Sequence, residues 1–250
     1  MTQQISINLN DIIPDSKDVL NHQGIPEESV IPDHIDLLFN NALTLFEREA
    51  KPVAIFKDVT INDFDNIFIG EGKNEDQTPL ENIYPDSYYL ALFALTLGSG
   101  IVNKINNLFT KNDFAFGVML DSVASVAADK SVEVLERHLF NLLSKRNETK
   151  NNSVVLGYSP GYCGWDLSGQ KRLFQYLKPE EIDITLNDSF LMSPLKSVSG
   201  VLVYADKKTH VFDSSFTFCG YCKNQTCYAR IEKIFNMNNL DNKEFNGNIK

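Results

Sequence analysis

Two places in this 250-residue chain bring together residue types that do chemistry. The first is FCGYCKNQTCYAR, where Cys219, Cys222 and Cys227 follow a C-x2-C-x4-C spacing. Thiolates so spaced suit zinc or an iron–sulfur cluster, and reduced thiols or a C-x-x-C redox pair are the alternatives. The second is Leu156–Gly200, where two loops, GYSPGYCGW and SFLMSPLKSVSG, flank a short amphipathic segment. Glycine lets a ligand approach the main chain closely, and the aromatic residues beside it offer flat walls for a heterocycle. A tight turn with aromatic packing has the same composition. Cys163 lies inside the first of these loops, so a fold that carried it to the other three cysteines would complete a four-thiolate site.

Other chemistries find less support. His22, His34, His138 and His210 are scattered without ligand spacing, which favours structural roles. Ser197 and Ser199 have no G-x-S-x-G elbow, which argues against a hydrolase. The D-x-H-x-x-G signature of histidine-ligated cobalamin proteins is absent. Asp166 and Asp188 read as capping or turn residues, and Trp165 as either a core residue or a stacking platform.

The elements that must position these loops follow from periodicity and punctuation. Residues 5–30 read as a strand followed by loop. Asp33 to Ala50 reads as a helix capped by Asp33, with Ile35, Leu38, Ala42, Leu45 and Phe46 on one stripe. Val53–Ile61 and Asn66–Ile69 read as strands, and a polar loop follows from Gly70 to Pro79. The run from Asp86 to Gly98, apolar nearly all round, predicts a buried helix. Ile101–Phe109 and Asp113–Arg146 read as further helices; small residues such as Ser122, Ala124 and Ala127 in the latter allow close helix packing or a ligand cleft. After a polar linker over 147–153, a short strand enters the first loop and a helix runs from Leu167 or Ser168 to about Leu177. Ile182–Leu186, Val198–Tyr204 and Thr209–Phe218 read as strands, and Cys227 to about Met237 as the last helix. Helices in the middle and strands toward both ends predict an α+β fold in one domain, 1–237, with a polar tail over 238–250.

Net charge is −10, with 43% hydrophobic and 22% charged residues. That suits a globular chain and excludes a nucleic-acid binder, which needs a basic surface to neutralise phosphates. No apolar run reaches the roughly 20 residues of a membrane span and no secretory signal is visible, so a cytoplasmic protein without membrane partners is expected.

The two loops resemble the activation (reactivation) domain of vitamin B12-dependent methionine synthase. Pro160-Gly161-Tyr162 fits the second half of the family's R-x-x-P-G-Y loop. Leu186, Ser189, Met192, Pro194 and Ser197-Val198-Ser199-Gly200 fit its L-T-E-S-x-x-M-x-P-x-x-S-V-S-G loop, with Asp188 in place of Glu. ALFALTLGSGI and LDSVASVAAD resemble segments of stand-alone relatives upstream, and the likeness covers roughly residues 86–211.

The resemblance implies a mainly antiparallel sheet packed with several helices. It implies a component of a methyltransferase system serving methionine biosynthesis, docked on a corrinoid- or cobalamin-carrying partner or on a methionine synthase core. In that family S-adenosylmethionine is presented to cobalt that has oxidised out of its working cycle and must be reduced and methylated. The implied ligand-binding residues are Tyr158, Pro160, Gly161, Tyr162, Ser197, Ser199 and Gly200, with Asp129 facing the ligand's ammonium. Two departures stand out. The family's carboxylate-pairing arginine falls on Gly157, with no Arg or Lys in that loop to replace it, and the family has no cysteine cluster like that of Cys219, Cys222 and Cys227. A metal- or iron–sulfur-binding protein that has lost the methyl donor is therefore the alternative.

Overall fold

A computed structural model describes residues 2–26 and 28–211. In chain order the first half contains β1 (Gln3–Ser6), α1 (Ser16–His22), α2 (Asp33–Glu49), β2 (Val53–Val59), α3 (Ile61–Ile69), α4 (Pro79–Ile83) and β3 (Tyr89–Thr96). There follow α5 (Ser99–Thr110), the 32-residue α6 (Phe114–Lys145), β4 (Ser153–Tyr158) and α7 (Gly169–Leu177). The last elements are β5 (Thr185–Leu186), β6 (Met192–Ser193) and β7 (Ser197–Asp206).

Five strands form one antiparallel sheet in the order β1-β2-β3-β7-β4, and β5 pairs with β6 in a small hairpin of its own. The fold is α+β, as the sequence predicts. Alternate residues of each strand feed two cores. Ala91, Phe93, Leu95, Leu202 and Tyr204 pack toward α1, α2, α5 and α6. Leu90, Leu92, Ala94, Val201 and Val203 pack toward α3, α4 and α7. The small residues of α6 serve close packing: Ser122, Ala124, Ala127 and Ala128 are buried, and α1 reaches across so that Gln23 Nε2 donates to Ser122 Oγ at 3.1 Å.

Several local expectations are corrected. The segment Asp86–Gly98 is not a helix; its centre is β3, the middle strand. A strand covered on both faces is as continuously apolar as a buried helix, so the pattern alone could not separate them. Asn66–Ile69 is the last turn of α3, not a strand: Thr60 Oγ1 accepts from the Asp63 amide at 3.1 Å, and Phe64, Ile67 and Phe68 recur at helical spacing. Residues 5–30 hold α1, which starts where Asp15 accepts from the Asp18 amide at 2.9 Å. The first residue of α2 is Asp33 itself, so it does not cap that helix; Pro32 occupies the cap position and supplies no side-chain bond. Of Ile182–Leu186 only Thr185–Leu186 is strand, because Pro179–Ile182 forms a 3-10 turn.

Lys207–His210 is another 3-10 turn, fixed by Asp206 accepting from the Lys208 amide at 2.9 Å. Thr209 and His210 are thus not strand. The rest of the expected strand to Phe218, the helix from Cys227, the tail and three of the four cysteines (Cys219, Cys222, Cys227) lie outside the described residues.

Candidate functional site

Because β4 and β7 are antiparallel, with Tyr158 opposite Val201, the first loop leaves β4 at the same end of the sheet where the second loop enters β7. The approach is close. A Cβ on Gly200 would collide with the Tyr158 carbonyl, so this position of β7 admits only glycine.

The first loop is a set of short turns. Gly161 donates its amide to the Trp165 carbonyl at 2.7 Å, and Trp165 donates to Tyr162 at 3.0 Å. Gly161, Cys163 and Gly164 all have positive φ, which glycine adopts without strain. Trp165, only 1% exposed, anchors the loop: its ring meets Phe64 edge-on at 5.5 Å and Phe68 at 5.9 Å. It is a core residue. A strap from residues 70–78 fixes the loop from outside. Asn74 donates to the Phe68 carbonyl at 2.7 Å and accepts from the Asp166 amide at 2.9 Å, while Glu75 donates to the Gly164 carbonyl at 3.0 Å. Asp166 also caps the entry to α7, accepting from the Ser168 amide at 2.9 Å.

The second loop is the β5–β6 hairpin and the turn after it. Asn187 Oδ1 accepts from the amides of Ser189 and Leu191, both at 2.9 Å, which closes the hairpin tip. A cis Ser193–Pro194 bond follows. Ser197 Oγ then lies 2.7 Å from the Pro194 carbonyl and 2.9 Å from Thr96 Oγ1, joining the turn to β3.

Both loops are tied to α6. In the first half of the helix, Lys196 Nζ lies 2.8 Å from Asp121 Oδ1 and donates to Ser125 Oγ at 2.7 Å. In the second half, Glu136 Oε1 accepts from the Gly157 amide at 2.7 Å, on the outer edge of β4. Asp121, Ser125, Asp129, Val132 and Glu136 recur at helical spacing and so form one stripe. Asp129 is exposed and sits on this stripe between the two attachment points.

Gly161, Tyr162 and the start of β7 at Ser197–Gly200 thus lie at one end of the sheet, and Asp129 lies on the α6 stripe one helical turn from Ser125. Gly161 and Tyr162 are exposed; Pro160 is buried. Tyr158 points the other way, into the core beside α7, and its hydroxyl lies 2.9 Å from Nδ1 of the buried His210. Ser199 is 1% exposed, and its Oγ has no hydrogen-bond partner among the described residues. Sequence reasoning missed Lys196, Glu136 and Asn74. Nothing in the local sequence marked them, since each acts across more than twenty residues of chain.

Cys163 is buried in the first loop. Among the described residues no three His, Cys, Asp or Glu side chains are grouped to hold a metal, and no helix is long and apolar enough to cross a membrane.

Comparison with known proteins agrees with this architecture. The family model described as vitamin B12 dependent methionine synthase, activation domain, matches residues 72–217. A solved structure described as the MetH reactivation domain bound to AdoHcy matches with a TM-score of 0.58 and 16% identity, over 81% of this chain and 78% of that one. At that identity the match speaks for the fold. No curated protein sequence matches the chain.

Proposed function

We propose, from the premise that the chain belongs to the vitamin B12-dependent methionine synthase activation-domain family, that it reactivates a B12-dependent methyltransferase by docking on a corrinoid-carrying partner or a methionine synthase core. S-adenosylmethionine is held between the two loops. The observation that supports this reading is the placement of both loops at one end of the sheet, with the second loop and the strand that leads into the first fastened to the same helix. The solved relative with AdoHcy motivates the ligand class.

The donor set suits such a ligand. The exposed Asp129 carboxylate meets an ammonium. The turn at Gly161 gives an adenosine group access to the main chain, and Tyr162 offers its exposed ring. When bound, S-adenosylmethionine supplies an electrophilic methyl group and the partner's corrinoid supplies the metal that receives it. The chain's own work is to bind, orient and keep water from the reacting centre.

The test is reductive methylation of an inactive corrinoid protein, given donor and reductant, with and without this protein. Acceleration is expected; no effect across several candidate partners would sink the reading. The cysteines motivate a second reading, a zinc or iron–sulfur centre held by Cys163, Cys219, Cys222 and Cys227, on a fold that has given up the donor. Metal content and an absorption spectrum after anaerobic purification decide it: a colourless, metal-free protein that binds AdoHcy eliminates this alternative.

A further inference from the structure

The site contains a buried cation in a place the sequence did not suggest. The Lys196 side chain is only 10% exposed, yet it belongs to the turn between Pro194 and Ser197 that leads into β7. Burying an ammonium is costly unless it is paired and hydrogen-bonded. Here Asp121 and Ser125 of α6 pay that cost in part: they take two of its donors, at 2.8 and 2.7 Å. A lysine ammonium has three N–H donors and no acceptor. The third has no partner among the described residues, at the end of the sheet where the loops meet.

The position of that donor is informative. Ser125 and Asp129 are one helical turn apart on α6, and side chains at that spacing have Cβ atoms about 5–6 Å apart. The stripe therefore presents a cation, anchored at Ser125, beside an exposed anion. An α-amino acid carries its carboxylate and ammonium on one carbon, and a neighbouring cation and anion are what such a zwitterion recognises. Gly157 cannot do the same work. It is buried in β4, its amide is taken by Glu136, and a Cβ there would lie 2.9 Å from Val132 Cγ1.

We infer that Lys196 binds the carboxylate of the ligand's amino-acid group, with Asp129 on its ammonium, so that the cation comes from the second loop and not the first. This rests on the proposed donor site and specifies its ligand as a nucleoside bearing a free amino-acid group. Lys196 also fastens its loop to α6, so the test must separate ligand contact from loop positioning.

Calorimetric titration of the full chain with AdoHcy and with decarboxylated AdoHcy, which lacks only the carboxylate, forms a cycle with Lys196→Gln. Wild type should prefer AdoHcy by roughly tenfold to hundredfold, the worth of one charge-assisted contact. Lys196→Gln should lose that preference and bind the decarboxylated ligand as wild type does. Lys196→Arg should keep the preference, and Lys196→Met serves as a second neutral variant should the glutamine variant fail to melt cooperatively. Equal weakening toward both ligands, or an unchanged preference, overturns the inference and leaves the donor site standing. Wild type that binds neither ligand overturns both.

Discussion

Gly157 and Gly200 show how a single missing side chain sets the geometry of this site. Gly200 lets the Tyr158 carbonyl lie against β7, and Gly157 lets α6 lie against β4. Gly200→Ala should therefore destabilise the protein by about 2 kcal/mol or more, since the colliding atom is backbone and cannot turn aside; denaturant unfolding measures it. Gly157→Arg would reinstate the family's residue, but its stem would press on Val132 and displace the Glu136 bond. It should cost about 1–3 kcal/mol of stability and bring no gain in AdoHcy affinity. A tighter-binding, equally stable Gly157→Arg protein would show that β4 can open there. The residues that could be named from sequence were those inside the two loops. Lys196 lay in plain view within the second loop, yet its value comes from Asp121 and Ser125, 75 and 71 positions earlier, and no local pattern records such a contact.

At the scale of elements, the long helix, α2, α5, α7 and β7 were legible because their apolar spacing admits one solution. The exceptions have physical causes. β3 is buried on both faces, so it loses the alternation that marks a strand. The end of α3 is rich in Ile and Phe, residues that favour strands, and only the Thr60 cap and the packing of Phe64 and Phe68 make it a helix. The strap through Asn74 could not be foreseen because it joins α3 to the first loop across 92 residues. Asn74→Ala removes two hydrogen bonds and should cost about 1–2 kcal/mol. It should also weaken AdoHcy binding, because the first loop loses its outer support; unchanged affinity would mean the loop holds its shape alone. On α6, burial first and then Lys145 hold the His138 imidazole below its usual 6.5. As pH falls the unfolded chain takes up that proton before the folded one, so this part of the stability is present above about pH 6.5 and is lost below it. Urea unfolding at pH 7.5 and 5.5 should show a smaller drop for His138→Gln than for wild type.

Across the whole molecule, an antiparallel sheet between two helical layers delivers both loops to one end, and α6 spans from one loop to the other. A helix of that length, about 48 Å at 1.5 Å per residue, is a rigid beam on which Lys196, Asp129 and Gly157 keep their spacing. These two loops and this helix together bound one ligand site. The most direct measurement is a backbone amide NMR titration of the isotopically labelled chain with AdoHcy. The largest shifts should fall together on Gly161, Tyr162, Asp129 and residues 196–200. Shifts confined to one loop, or centred elsewhere on the fold, or no shifts at saturating ligand, would contradict it.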